Sequence, residues 1–249
     1  MFDPSWQNLA VIALAFAAGG LVKGVVGLGL PMIAVPVIGS MMDPRSAIAT
    51  MIIPILGSNL IQALRGGHGI DTPRRIAGFL IPLIAGSVCG VLLLTSLPTT
   101  WVALILAALV SLFSVLILVG WKPVLPPGIE RRIRVPVGLV AGLTGGMSSF
   151  FGPTVVPYLI SLGLPAGELV RAMGWVFLLG ELPVFLGLAV RGYAPPLVWM
   201  LSAAGWAVVT LAMAAGSRLR SRMSESMFMR LVGSMLLLIG LNMIRRVVF

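Results

Sequence analysis

Two charged residues interrupt otherwise apolar stretches of this sequence. Lys23 follows the apolar run 8–22, and Glu181 falls near the middle of the run 169–190. Ionisable groups inside apolar, membrane-like segments are costly and mark a functional site by default. A buried lysine would hold the negative charge of a small solute, and a desolvated carboxyl that keeps its proton would suit a proton-coupling site.

Each of these residues also has a simpler interpretation. If the run 8–22 crosses a membrane completely, Lys23 only reaches the headgroups and anchors the helix end. The simpler interpretation of Glu181, independent of that of Lys23, is that it pairs with Lys23 for structural reasons or rests protonated against an amide. The candidate amides are Asn59 and Gln62, which lie three residues apart on one helix face in the run 46–64 and are also candidate substrate ligands.

Glycines and serines cluster where short apolar runs meet. They predict a cradle for an anion, because glycine lets a turn approach a ligand and a helix N-terminus directs free N–H groups at it. We expect such helices to begin near Gly27 and near Phe150. The alternative is that the glycines only allow helices to pack closely. The candidate residues are Gly24, Gly27, Gly29, Gly145, Gly146, Ser148 and Ser149.

The composition requires a membrane. Of the 249 residues, 59% are hydrophobic and 10% are charged, and the mean hydropathy is +1.09. A soluble domain carries about 25% charged residues. The net charge of +10 comes mostly from basic residues between apolar runs, which contact anionic membrane lipids and not nucleic acid. The single histidine, His68, has no second ligand nearby, so we predict no metal site, no cofactor and no catalytic residue, and therefore no enzyme.

The apolar runs form two similar halves, 1–120 and 134–249, joined by a linker at 121–133. Gly20 to Gly24 lies over Gly142 to Gly146, a repeat of about 122 residues, and the shared order of short and long runs supports it. In each half two short runs precede three longer ones. Short, Gly/Pro-interrupted segments in corresponding positions point to a transporter's binding site. The predicted runs are 8–22, 27–42, 46–64, 76–95, 99–119, 134–147, 150–163, 169–190, 196–215 and 227–248.

The distribution of basic residues bears on topology, because the cytoplasmic side is enriched in lysine and arginine. If each short pair is a re-entrant hairpin, or if both of its members cross, twelve basic residues lie on one side and four on the other. If only the first member crosses, the split is ten to six. The preferred arrangements place the linker in the cytoplasm and give an all-α membrane protein of two inverted repeats. Each repeat would then have a re-entrant or half-length helix pair and three spanning helices.

The segment from Val22 to Pro31 (VKGVVGLGLP) resembles the N-terminal signature of the TauE/SafE-type sulfite exporter family, within the toluenesulfonate-uptake group of anion transporters. Gly142 to Gly146 and Val156 to Ile160 continue the likeness, which covers nearly the whole chain. The resemblance implies a multi-pass carrier of the cell (inner) membrane for sulfite, a sulfonate or thiosulfate. Many members have a run of glycines where this chain has Gly27-Leu28-Gly29-Leu30, which leaves the substrate open.

Two other functions remain open at this stage. The same hairpins would suit an anion channel, or a carrier for a small organic carboxylate. An intramembrane enzyme or an accessory subunit is a further class, but the sequence offers no nucleophile–base pair for it. The partners expected are therefore a small anion bound at the midplane between the two hairpins, membrane lipids, and protons as a coupling ion. The sequence predicts no particular oligomeric state.

Overall fold

The fold is seen in a computed structural model that describes residues 4–27, 29–64, 71–120 and 128–219, with ten further residues between 230 and 245. His68 and residues 121–127 of the predicted linker lie outside the described residues. The described part of the chain contains helices and no strands. The helices are α1 (Trp6–Val26), α2 (Leu30–Gly39), α3 (Pro44–Ala49), α4 (Ile52–Leu64), α5 (Asp71–Arg75), α6 (Ala77–Ser96), α7 (Thr99–Val119), α8 (Ile129–Ser148), α9 (Gly152–Ser161), α10 (Ala166–Val190) and α11 (Pro196–Leu219).

Six stretches of helix are long and apolar enough to cross a membrane. Each has at least 18 residues, against roughly 20 needed for a hydrocarbon core of about 30 Å. The prediction of an all-α, multi-pass membrane protein is therefore confirmed, while the inversion of the two repeats stays a prediction. The stretches are Trp6–Val25, Pro44–Leu64, Ala77–Ser96, Thr99–Val119, Gly167–Val190 and Pro196–Leu219.

The short helix pairs differ from the sequence prediction in their first members. The runs 8–22 and 134–147 predict half-length helices, but α1 has 21 residues and α8 has 20. Helix α1 continues through Lys23 and Gly24, and α8 begins at Ile129 so that its arginines lie inside the helix. At 1.5 Å per residue each is about 30 Å long. The second members, α2 and α9, have 10 residues each and are half-length as predicted.

The described chain divides into two compact units. Unit 1 comprises residues 1–54, 97–121 and 192–249, and it contains α1, α2, α3, α7 and α11. Its main helix contact is that of α1 with α11. The two backbones come close because glycines meet there: a Cβ added at Gly24 would lie 3.0 Å from the Cα of Gly216.

Unit 2 comprises residues 55–96 and 122–191, and it contains α5, α6, α8, α9, α10 and nearly all of α4. Its main contact is that of α8 with α6. Glycines meet here too: a Cβ added at Gly146 would lie 3.0 Å from the Cα of Gly90. Because α1 and α6 belong to the first predicted half and α8 and α11 to the second, each unit combines helices from both halves.

Candidate functional site

In unit 1 a glycine follows the end of α1 and another precedes the start of α2, and both have left-handed backbones. Gly27 has a φ of 88° and its N–H donates to the carbonyl of Lys23 at 2.7 Å, which ends α1. Gly29 has a φ of 107° and precedes α2, so that helix begins at Leu30, three residues after the predicted start. Glycine adopts such angles without steric cost. These two predicted site residues are therefore required by the turn itself.

Lys23 lies in the last turn of α1 and is 4% exposed. A lysine that only reached the headgroups would be open to the surroundings, so this burial argues against the anchoring interpretation. Lys23 lies one turn before Gly27, at the negative end of the α1 dipole, which favours a cation. Lys23 is thus a buried cation beside the one left-handed turn of the α1–α2 pair.

The glycines Gly24, Gly145 and Gly146 are explained by packing. Gly24 and Gly146 lie at the two close helix crossings, where a larger residue would force the backbones apart. Gly145 faces the ring of Phe151, and a Cβ added there would be 2.5 Å from the ring's Cγ. The packing alternative raised by the sequence therefore accounts for where these three residues lie.

In unit 2 the turn between α8 and α9 is built like its counterpart but with a serine. Ser149 ends α8 with a φ of 59°, and its N–H donates to the Gly145 carbonyl at 2.6 Å. It is the one non-glycine residue of positive φ among the described residues. Such a conformation is uncommon outside glycine, and it persists only where the surrounding structure holds it in place.

The hydroxyl of Ser148 is engaged locally. It donates to the Thr144 carbonyl at 2.7 Å and accepts from the N–H of Phe150 at 3.1 Å. These bonds close the last turn of α8, and α9 begins at Gly152, after Phe151. The predicted anion ligand Ser148 thus acts in this conformation as a cap for the turn.

The side chains of Ser149 and Glu181 meet in the interior of unit 2. The Ser149 hydroxyl donates to Oε1 of Glu181 at 2.7 Å, and the two residues are 1% and 2% exposed. The residues are 32 positions apart, and nothing in the sequence predicts the pair, although each residue is a candidate on its own. The pair thus joins two of the predicted site residues by a direct side-chain hydrogen bond.

The neighbours of this pair hold it in place. The Phe151 ring packs against Gly145 on one side and against Gly180 on the other, where an added Cβ would be 3.1 Å from the ring. The Ser87 hydroxyl of α6 donates to the Gly180 carbonyl at 2.6 Å. The helix α10 is thus fixed against α6 and α9 next to Glu181.

The two predicted amides are also buried. Asn59 and Gln62 are 1% and 6% exposed on α4, three residues apart as the sequence indicates. Ser58 beside them donates to the Ile55 carbonyl of the same helix. Both amides therefore remain candidate donors to a solute.

One buried charge was not singled out from the sequence. Arg45 is 4% exposed in unit 1, although Asp43-Pro44-Arg45 predicts only a capped helix start. The cap is present, since Asp43 accepts from the Arg45 N–H at 2.9 Å. In addition, the Arg45 guanidinium donates to the Thr99 hydroxyl at 3.0 Å and to the Leu97 carbonyl, and it lies 5.2 Å from the centre of the Tyr193 ring.

The family model for the sulfite exporter TauE/SafE matches residues 11–243, nearly the whole chain. The chain belongs to this family. Comparison with curated proteins and with solved structures finds no significant match. Membership of the sulfite exporter family, together with six membrane-length helices, makes the protein a multi-pass membrane transporter and not an enzyme. The sequence resemblance around Lys23 is thereby confirmed at the level of the family.

Proposed function

We propose that this member of the TauE/SafE family is a secondary carrier for a small sulfur-containing anion such as sulfite, a sulfonate or thiosulfate. The observation that carries the proposal is the burial of Lys23 in a chain that the family match makes a transporter of sulfur anions. A buried lysine attracts the negative charge of a solute more strongly than an exposed one, because less water screens the interaction between the two charges.

The anion must regain the hydrogen bonds that it loses on leaving water. In unit 1 the Lys23 ammonium and the left-handed turn at Gly27 and Gly29 are the proposed ligands. In unit 2 the proposed ligands are the Ser149 hydroxyl and the start of α9, whose first N–H groups have no partner within the helix. Asn59 and Gln62 supply further neutral donors.

Glu181 is the proposed proton-coupling group. A buried carboxyl can take up a proton when a water-filled pathway opens to it and lose the proton when the pathway opens elsewhere. Its hydrogen bond with Ser149 places this change of charge directly at a proposed anion ligand. Coupling to a proton would let the carrier use a proton gradient to move the anion.

Exchange in proteoliposomes tests the carrier. Vesicles loaded with unlabelled thiosulfate should take up labelled thiosulfate with saturable kinetics, because a carrier must return an occupied or empty site in each cycle. Flux that does not saturate and that carries continuous current would support the alternative of an anion channel and contradict the carrier.

Thermal-shift measurements on the purified protein test the substrate class. Sulfite, thiosulfate and small sulfonates should raise the melting temperature, since a ligand that binds only the folded state stabilises it. Acetate and lactate at the same ionic strength are the controls. A larger shift with the carboxylates would favour the organic-carboxylate carrier instead.

A further inference from the structure

We infer that Ser149 transmits the protonation state of Glu181 to the anion, so that this carrier binds its anion and one proton together. The inference rests on the proposed function of a carrier with Ser149 at its anion site. It concerns the direction of coupling, which neither the family nor the predicted site residues specify.

The chemistry of the pair determines the direction. A hydroxyl has one proton to donate and two lone pairs to accept with. When Glu181 is ionised it can only accept, so the Ser149 hydroxyl donates to it across the 2.7 Å that separates the two oxygens. In that state the Ser149 proton is not available to an anion.

Protonation reverses the bond. A carboxylic acid that carries its new proton on Oε1 of Glu181 donates that proton to the Ser149 oxygen, and the serine proton can then turn toward an anion. The negative charge of Glu181 is removed at the same time, so its repulsion of the anion ends. Both changes favour binding of the anion when the proton is present.

The backbone makes Ser149 suited to this task, because its Cα is fixed while its hydroxyl can rotate. The residue is fixed by its left-handed conformation and by the 2.6 Å bond from its N–H to Gly145. The Phe151 ring contacts both Gly145 and Gly180, so it connects the end of α8 that carries Ser149 to the part of α10 that carries Glu181. Rotation about one side-chain bond of Ser149 is therefore enough to change its partner.

The described helices of unit 2 that pack against α10 carry other ionisable groups. In α8 they are confined to the first two turns, at Glu130, Arg131, Arg132 and Arg134, whereas Ser149 follows its last turn. The Tyr158 ring of α9 stacks on Phe79, Cys89 of α6 is exposed, and Arg75 of α5 pairs with Glu168 in the first turn of α10. Within α10, Arg171 is ten positions, nearly three turns, before Glu181.

The resulting cycle conserves the proton. One proton enters from the aqueous side that is open, binds Glu181, and reverses the Ser149 bond as the anion binds. Both leave on the other side, where loss of the proton restores the ionised pair and weakens the hold on the anion. By linkage, the proton raises the affinity for the anion by the same factor as the anion raises the affinity for the proton.

The test is anion binding by the purified protein as a function of pH. Thiosulfate is the probe, because its own charge is constant between pH 5 and pH 9. For the wild-type protein we expect the dissociation constant to fall as the pH falls, by up to about tenfold per pH unit, the limit for one linked proton. A pH-indicator dye should show proton uptake when thiosulfate is added.

Two variants separate the parts of the pair. Glu181→Gln removes the titration and should bind thiosulfate equally at every pH, with about the affinity of the wild type at pH 5. Ser149→Gly suits the positive φ and removes only the hydroxyl, so it should bind about tenfold more weakly at low pH, the effect of one hydrogen bond to a charged group. Ser114→Ala is the control, since this buried hydroxyl donates to the Val110 carbonyl of its own helix, and it should bind as the wild type does.

The outcomes distinguish this inference from the function on which it rests. Wild-type binding that is independent of pH, or that weakens as the pH falls, would overturn the inference and leave the carrier standing. Dye measurements on the wild type give this answer even if the Glu181 variant does not fold. Binding of no sulfur anion at any pH would overturn the proposed function, and the inference with it.

Discussion

The two units of this transporter share one plan of packing but carry different chemistry. In unit 1 helix α1 crosses α11 where Gly24 meets Gly216, and in unit 2 helix α8 crosses α6 where Gly146 meets Gly90. Both first helices end in a left-handed residue that bonds back four positions, at 2.7 Å in unit 1 and 2.6 Å in unit 2. The main helix crossing, and the turn that ends the first helix of each short pair, therefore correspond in the two units.

The charged residues do not correspond. Lys23 of unit 1 aligns with Gly145 of unit 2, and Glu181 of unit 2 aligns with Ser58 in the first half of the sequence. Phe151, which packs against Gly145, aligns with Gly29. The repeat predicted from the sequence would account for the shared packing, while the lysine and the carboxyl each occur at only one of the two aligned positions. The difference indicates that the units have separate tasks in transport.

The largest expected effect comes from breaking the shared frame. Gly24→Leu and Gly146→Leu each put a side chain where the two backbones leave no room. Overpacking in a core costs about 1–3 kcal/mol, and forced separation of backbones lies at the upper end. We expect each to lower the apparent melting temperature by about 10 °C.

A matched substitution controls for the loss of glycine itself. Gly167→Ala lies at the start of α10 with nothing within 4 Å of the added Cβ, and it should leave the melting temperature unchanged. If only one of the two leucine variants is destabilised, the frames of the units are not equivalent.

A smaller effect should separate the ion pairs of the two units. Arg45→Ala removes a buried guanidinium from Asp43, Thr99 and the Leu97 carbonyl, and we expect a loss of about 2 kcal/mol. Arg75→Ala breaks the exposed pair with Glu168, whose side chains are 61% and 35% exposed, and should change stability by less than about 1 kcal/mol. Thermal denaturation in detergent measures both, and equal losses would contradict the role assigned to burial.

The smallest effect is expected at the α6–α10 contact. Ser87→Ala removes the hydroxyl that donates to the Gly180 carbonyl at 2.6 Å, a net loss of about 1 kcal/mol. At the α1–α11 crossing of unit 1 the residue that corresponds to Ser87 is Met213, which has no hydroxyl and cannot donate such a hydrogen bond. Ser202→Ala is the comparison. It removes a buried hydroxyl that accepts a hydrogen bond from the Ile53 N–H, and it should cost about the same stability. A Ser87 variant with full stability would mean that α10 does not depend on this bond.

Much of the fold could be predicted because hydropathy marks the spanning helices. The run 99–119 coincides with α7, and the runs 76–95 and 196–215 begin within one residue of α6 and α11. The first helix of each short pair is longer than its apolar run, because the run ends at the nearest charged residues while the helix continues through them. Helix formation does not stop at Lys23 or at the arginines of α8, since lysine and arginine are good helix formers.

The candidate site was predictable residue by residue but not as an arrangement. Charge inside an apolar run is visible in the sequence, which is why Lys23 and Glu181 were found. The bond between Ser149 and Glu181 depends on how α8 packs beside α10, and no local pattern encodes that distance. Arg45 was missed for the same reason, because residues distant in sequence, Leu97 and Tyr193, are what surround it.

Exchange of labelled thiosulfate by Lys23→Ala in proteoliposomes tests most directly the claim that the buried cation holds the anion. Arg74→Gln, which changes an exposed arginine of α5, is the control and should exchange as the wild type does. The account predicts that Lys23→Ala reaches the vesicles folded, with a melting temperature near that of the wild type, and exchanges no thiosulfate above empty vesicles. Near-normal exchange by Lys23→Ala would contradict it.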